Sequence, residues 1–461
     1  MSFAEKFERA FRSLLPSPFT IAVLLTLATM VLALLFGDFQ GETNPIFQVL
    51  DFWQAGLWDS PLLAFAVQMM LILVLGHILA LAPAVSQAID RIISFSTTPA
   101  KAAFLVTFFT MLVGFFNWGL GLIFGAILAR KTAEKFSHEG KSINYPLLGA
   151  AGYAGMMVWH GGISGSAPIK VVEEGHLPQL MSGVISADRI ETLAASIPFE
   201  LTIFSPMNLT ASLILLVALP TMMALFAKRS KSDVALPTSS FSNASSNIPE
   251  SVTGAEKLDY SRIFCVGFAL LILGYAVSVP FRERNGLGFI NLNYLNFTLF
   301  GLCLLFHGRF SNFLRALESA ISGASGILIQ FPLYFGIMGI MRSSGLIDIM
   351  SEFFISISTP TTFPIFTFIS AGLVNIFVPS GGGQWAVQGP IIIQAADSLG
   401  VSLPKSIMAL AYGDQITNML QPFWALPLLG ITGLKARDIL PYTLRMLIIG
   451  SLIFVAVLLL F

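Results

Sequence analysis

Phe377-Val-Pro-Ser-Gly-Gly-Gly-Gln-Trp385 decides the fold. It interrupts an apolar run that extends from Phe363 to Val374 and resumes from Ala386 to Ile393. Pro379, Ser380 and three glycines cannot continue a helix cheaply. In hydrocarbon, broken backbone is tolerated only where protein or a watery cavity surrounds it. Each flank is about 12 to 16 residues long, short of the roughly 20 that a span needs. The stretch therefore reads as the tip of a re-entrant hairpin over residues 362–396, in preference to a loop between two ordinary spans.

The chain around it has a membrane composition. Of 461 residues, 55% are hydrophobic and only 11% charged, against about 25% charged in soluble domains. Mean hydropathy is +0.80, which predicts an all-α polytopic membrane protein. A formal net charge of zero gives no reason to expect a nucleic-acid partner. Cys265 and Cys303 lie in apolar runs and read as core residues, not as a disulfide. No cleavable signal pattern is evident. Lys6, Arg9 and Arg12 precede a first span at about 18–37, so that span is expected to insert with its N-terminus inside.

A second pair of apolar arms, about 100–116 and 120–129, meets at Asn117-Trp-Gly-Leu-Gly121. Arg91 and Lys101 precede the pair, and Arg130, Lys131, Lys135 and Lys141 follow it. Basic flanks on both sides predict a hairpin that enters and leaves on the cytoplasmic face. Two helices then break at membrane depth. One follows Tyr145 and breaks at Trp159-His-Gly-Gly-Ile-Ser-Gly-Ser-Ala-Pro168. The other follows Leu403 and breaks at Gly413-Asp-Gln-Ile-Thr-Asn-Met-Leu-Gln-Pro422.

These features recur in order at an offset of about 260 residues, which argues for an internal repeat. Gln330 stands for Gln68, Thr359-Pro360 for Thr98-Pro99, Pro404 for Pro146, Tyr412 for Tyr153 and Pro427 for Pro168. The expected organisation is an N-terminal segment and first span (1–60), then repeat one (61–227, hairpin 100–130, broken helix 145–168). A Ser-, Asn- and Pro-rich cytoplasmic linker follows (228–258), then connecting spans (259–319). Repeat two closes the chain (320–461, hairpin 362–396, broken helix 403–433). About five crossings separate the repeats, so the second is inverted and the C-terminus falls outside. Inverted repeats with broken helices are the architecture of secondary transporters.

Helix ends at the breaks expose unpaired N–H groups, a seat for an anion. The candidate substrate ligands are Asn117, Gly119, Gly121, Ser164, Ser166, Ser380, Gly381, Gly382, Gln384, Gln415 and Asn418. None of the breaks contains Lys or Arg, so a carboxylate would be held by neutral donors and dipoles. Trp118, Phe116, Trp385 and Phe423 could pack a short hydrocarbon tail. Asp414 is the one acid in the breaks. An intramembrane acid is functional by default, so Asp414 is the candidate coupling residue for a proton or sodium ion. Its bland reading is a helix cap. His160 is a second candidate proton site, or else a neutral hydrogen-bonding residue. His77 reads as structural. No metal or organic cofactor is indicated, and the G-x-S-x-G, H-E-x-x-H and P-loop patterns are absent, which argues against an enzyme or ATP-driven pump.

Val378-Pro-Ser-Gly-Gly-Gly-Gln-Trp-Ala-Val-Gln-Gly-Pro390 and Ala411-Tyr-Gly-Asp-Gln-Ile-Thr-Asn-Met-Leu-Gln-Pro-Phe-Trp-Ala-Leu-Pro427 resemble motifs of the bacterial short-chain fatty acid transporter family. Phe116-Asn-Trp-Gly-Leu-Gly121 and Gly161-Gly-Ile-Ser-Gly-Ser166 resemble its first-half motifs. The resemblance runs nearly end to end, apart from the linker. It implies cation-coupled uptake of acetoacetate, butyrate and similar monocarboxylates across the bacterial inner membrane. A dicarboxylate carrier or a gated anion channel is the alternative. A wider resemblance to elevator carriers implies two hairpin–broken-helix units sliding against a scaffold, often within a homodimer in the lipid bilayer.

Overall fold

The computed structural model describes residues 18–39, 43–229, 253–282, 289–321, 324–377 and 380–461. The N-terminal segment before Pro18, the linker core 230–252 and the Val378-Pro379 dipeptide lie outside the described residues. The described chain is helical, and its one extended pairing is an isolated bridge between Ser182 and Ile185.

The first half contains α1 (Pro18–Phe36), α2 (Pro45–Leu57), α3 (Ser60–Ala80), α4 (Pro83–Ser94), α5 (Pro99–Phe116) and α6 (Trp118–His138). It continues through α7 (Tyr145–Tyr153), α8 (Ser166–Lys170), α9 (His176–Met181), α10 (Ala187–Thr192) and α11 (Pro206–Arg229). Connecting helices are α12 (Arg262–Arg282), α13 (Leu292–His307) and α14 (Phe310–Ile321). The second half has α15 (Ser325–Ser343), α16 (Leu346–Ile357), α17 (Phe363–Phe377), α18 (Gly381–Leu399), α19 (Leu403–Thr417), α20 (Pro422–Thr432) and α21 (Ala436–Leu460).

Local chemistry sets many of the starts. Asn44, Asp59, Thr98 and Asn144 each accept a main-chain N–H of the first turn, and each is followed by proline within that turn. That pairing satisfies an orphan donor where proline's missing N–H costs nothing. Five described helices are long and apolar enough to cross a membrane: α3, α5, α11, α12 and α21.

Several expectations need correction. The segment between the first span and α3 folds in part into α2, which packs on α15 with Gly56 against Gly336 and Gly339. Helices α4, α14 and α16 are further elements that the sequence did not announce. Each is short, with one apolar face, and carries too little continuous hydrophobicity to read as a span. The first hairpin's second arm is longer than predicted, since α6 has 21 residues, while α5 has 18 and matches expectation. Arm length therefore does not mark this hairpin as re-entrant. Its Asn117 tip, buried against Ile72 and Gly76 in the middle of α3, shows where it ends.

The two halves interlock. Helices α1 and α2 pack on α15 of the second half, and α13 and α14 pack on α3 of the first. Each hairpin is stitched to the broken helix that follows it by close glycine contacts. A Cβ at Gly155 would lie 3.0 Å from the Thr110 carbonyl, and one at Gly413 would strike the Phe368 carbonyl. Cys265 and Cys303 are free and buried, as expected.

Candidate functional site

The first hairpin tip is tighter than the sequence suggests. Asn117 is the single non-helical residue between α5 and α6, and its Oδ1 caps Leu120 N at 2.7 Å. Ser380 caps α18 in the same way, its Oγ accepting Gly383 N at 3.1 Å. The three glycines are not a loop but the first turn of α18. They sit where main-chain N–H groups have no intrahelical partner and where neighbours come close. A Cβ at Gly381 would lie 2.5 Å from His160 Nε2 and 2.8 Å from Ser166 Oγ, and one at Gly382 2.9 Å from Phe65.

The broken helices differ from expectation in register. Helix α7 ends at Tyr153, earlier than expected, and gives way to 3-10 turns over Ala154–Met157 and Trp159–Gly161 before α8 begins. Helix α19 runs unbroken to Thr417, with its break at Asn418–Gln421. Asp414 is thus a helical residue, and its carboxylate accepts no hydrogen bond among the described residues. This removes the capping role.

The candidate ligands divide by what they touch. A first group holds the breaks together. Ser164 Oγ accepts Trp118 N at 3.0 Å, and Gln415 Oε1 accepts His160 N at 3.0 Å. Asn418 gives its carbonyl to the Tyr153 hydroxyl at 2.9 Å. Gln384 donates to the Ala371 carbonyl at 2.8 Å and to Gln388 at 2.9 Å, joining the arms of the second hairpin. Gly119 and Gly121 allow close packing against Leu73 and Gly114. A second group, Ser166, Ser380, Gly381 and Gly382, lines a cavity of about 560 Å3. Trp118, Trp159, Trp424, Leu73, Ile123 and Phe331 form much of its apolar wall, and His77 lies along it. Trp385 is turned away from this cavity, its indole N–H donating to His176 Nε2 at 2.9 Å.

His160 and Asp414 form a third group. The structure brings them together from the two broken helices, with Nε2 3.5 Å from Oδ1. Their side chains are 0% and 1% exposed. Neither imidazole nitrogen and neither carboxylate oxygen has a hydrogen-bond partner among the described residues.

Two organising residues escaped the sequence reading. Asn375 Nδ2, on α17, lies 2.6 Å from the Asp414 carbonyl, 2.9 Å from Thr417 Oγ1 and 2.8 Å from Asn418 Oδ1. Its own carbonyl accepts Gln421 Nε2 at 2.7 Å. Asn208 on α11 bridges the Gly161 carbonyl at 2.9 Å and the Tyr412 hydroxyl at 3.0 Å. A lone amide inside an apolar helix was the available signal, since such groups persist only when paired.

The model of the Short chain fatty acid transporter family matches residues 3–461. A protein of Escherichia coli (strain K12) that carries the name short-chain fatty acid transporter is 38% identical over 451 residues, covering 97% of this chain and 96% of its own. A protein of the same name from Haemophilus influenzae is 37% identical, with 96% and 95% covered. Among solved structures, the Alcanivorax borkumensis YdaH transporter superposes with a TM-score of 0.62 at 17% identity, over 95% of this chain and 98% of that one. Neisseria gonorrhoeae MtrF, described as an antimetabolite efflux pump, gives 0.55 at 14% identity, over 98% and 97%. These two likenesses concern the fold. The family match and the two relatives establish that this chain belongs to the short chain fatty acid transporter family and is a multi-pass membrane transporter, not an enzyme.

Proposed function

We propose that the protein is a secondary carrier of short-chain monocarboxylates, taking up butyrate, acetoacetate and similar acids with a cation. One observation carries the reading. The first turn of α18 and the unpartnered Ser166 hydroxyl meet at a cavity whose lining contains no Lys or Arg. The main-chain N–H groups of Gly381 and Gly382 are first-turn donors suited to one carboxylate. The tryptophans and Leu73 suit a short apolar tail. A second carboxylate would have no cationic partner along this wall, which argues against dicarboxylates.

Asp414 is the proposed coupling residue, because a buried acid without a hydrogen bond is costly unless it holds a proton or cation. The two hairpins and broken helices, α5–α8 and α17–α20, are the proposed moving unit, and the remaining spans the scaffold. The proposed setting is the bacterial inner membrane, N-terminus inside and C-terminus outside, with a homodimer as the assembly that cross-linking would reveal.

Counterflow tests the reading. Proteoliposomes preloaded with butyrate are expected to accelerate entry of labelled butyrate over protein-free vesicles, whereas succinate preloading has no effect. Absence of acceleration by butyrate would remove the carrier. Asp414→Asn is expected to lose gradient-driven accumulation while counterflow persists at a reduced rate.

A further inference from the structure

We infer that His160 and Asp414 act as one unit that binds a proton together with the substrate anion, making transport an electroneutral one-proton symport in which His160 carries the charge facing the carboxylate. The inference rests on the carrier reading and deepens it by naming the coupling ion, the stoichiometry and the cationic partner of the substrate.

One nitrogen, His160 Nε2, looks two ways. It is 3.5 Å from Asp414 Oδ1, and it is also what a Cβ at Gly381 would strike, 2.5 Å away. The same nitrogen is therefore close both to the acid and to the helix terminus proposed to hold the substrate. Ser166 Oγ, 2.8 Å from that same Cβ position, borders the same space. A carboxylate seated on the amides of Gly381 and Gly382 would meet Ser166 at the cavity wall, with the fully buried His160 packed against Gly381.

The next step is charge. Sealed inside protein, an unbalanced unit charge costs several kcal/mol, so each stable state of the site should be neutral overall. Among the described residues, His77 of α3 lies along the cavity wall, and the other titratable groups of the surrounding elements are engaged or distant. On α19, Tyr412 gives its hydroxyl to Asn208. From α7, Tyr153 gives its hydroxyl to the Asn418 carbonyl. On α8, Lys170 is paired with Glu173. On α18 the acid is Asp397, at the far end and paired with Arg189. The segments Pro99–Phe116 and Phe363–Phe377 contribute one charge between them, Lys101, at the distant start of α5. Arg445 on α21 lies over the rings of Phe226 and Tyr442.

Neutrality then fixes the count. Without substrate, the pair is neutral when it holds one titrating proton, written as imidazolium with carboxylate. An arriving monocarboxylate anion competes with Asp414 for His160 and adds one negative charge. The site stays neutral if Asp414 takes up one proton as the anion displaces it. The loaded site then contains imidazolium, carboxylic acid and substrate carboxylate. Release reverses the exchange, returning one proton with each anion. No covalent bond forms or breaks.

The test uses the full-length protein in proteoliposomes, with labelled butyrate and protein-free vesicles as blank. An inward proton gradient, acid outside, is expected to drive accumulation. A potassium–valinomycin potential of either sign is expected to leave the initial rate unchanged, and a sodium gradient at equal pH is expected to drive nothing. His160→Gln is expected to weaken butyrate at least tenfold in counterflow, where no gradient acts, and to abolish the response to the proton gradient. Size exclusion and reconstitution yield of this variant report on folding, and the native measurements stand without it. Accumulation that follows sodium or membrane potential, while butyrate counterflow is intact, would overturn the inference and leave the carrier. Loss of counterflow in the native protein would overturn both. A His160→Gln variant with native affinity and native proton drive would overturn the role of the imidazole.

Discussion

Asn117 and Ser380 occupy equivalent positions at the two hairpin tips, and the sequence marks both as ligands. Both side-chain oxygens are engaged as helix caps, but Ser380 also borders the cavity whereas Asn117 is absent from its wall. A polar residue at a break satisfies backbone first, which is why residue type alone does not separate the two roles. The consequence is measurable. Asn117→Ala is expected to lower stability by about 0.5–2 kcal/mol without changing butyrate affinity, while Asn117→Ser retains the cap and the stability. Thermal unfolding in detergent together with counterflow affinity checks this. A tenfold loss of affinity in a well-folded Asn117→Ser variant would return Asn117 to the substrate site. Ser166 behaves in the opposite way. Its hydroxyl has no partner among the described residues and borders the cavity, so Ser166→Ala should weaken butyrate without a matching loss of stability.

At the scale of elements, the breaks were legible because proline, glycine and polar clusters cannot be hidden in apolar runs. Their register was not. Helix α19 continues past Gly413, and the glycine serves the close approach of α17 through Phe368 and Ala371. Sequence shows that a glycine is present but not whether it frees the backbone or admits a neighbour. The meeting of His160 with Asp414 was likewise beyond reach, since it joins residues 254 apart through two separate helix breaks. The polar stretch from Glu173 to Glu191 carries no such signal of its fold. It folds as a clasp over the second hairpin, where Arg189 pairs with Asp397 and His176 accepts the Trp385 indole N–H. Burial, and secondarily the charge of Lys170, push the His176 imidazole down to about 3. Its unfolded value is near 6.5, so the unfolded chain binds more protons between these limits. The clasp is therefore fully stabilising above about pH 6.5 and weakens as pH falls toward 3. Thermal unfolding between pH 7.5 and 4.5 is expected to show this decline, and His176→Phe to flatten it. Equal slopes in the two proteins would show that the imidazole contributes nothing to the clasp.

For the whole molecule, the repeat seen in paired prolines and tyrosines extends to the way the halves exchange partners. Tyr153 of the first half bonds the break of the second, through the Asn418 carbonyl. Tyr412 of the second half reaches the first through Asn208, which in turn holds the Gly161 carbonyl. With α1 and α2 on α15, and α13 and α14 on α3, this reciprocity is what a pseudo-twofold axis in the membrane plane predicts. Such an axis places the hairpin entrances on opposite faces. Thr97 and Thr361 stand at those entrances, and both are exposed. The two native cysteines are buried, so a membrane-impermeant maleimide should report on introduced thiols. On intact cells, Thr361→Cys is expected to label, while Thr97→Cys labels only after the membrane is opened. The basic flank Arg130, Lys131, Lys135 and Lys141 is expected to hold the first entrance inside by the positive-inside rule. It should resist a single substitution, so neither variant is expected to flip the chain. Labelling of both thiols from one face would place the two hairpins on the same side, and the inverted arrangement would have to be abandoned.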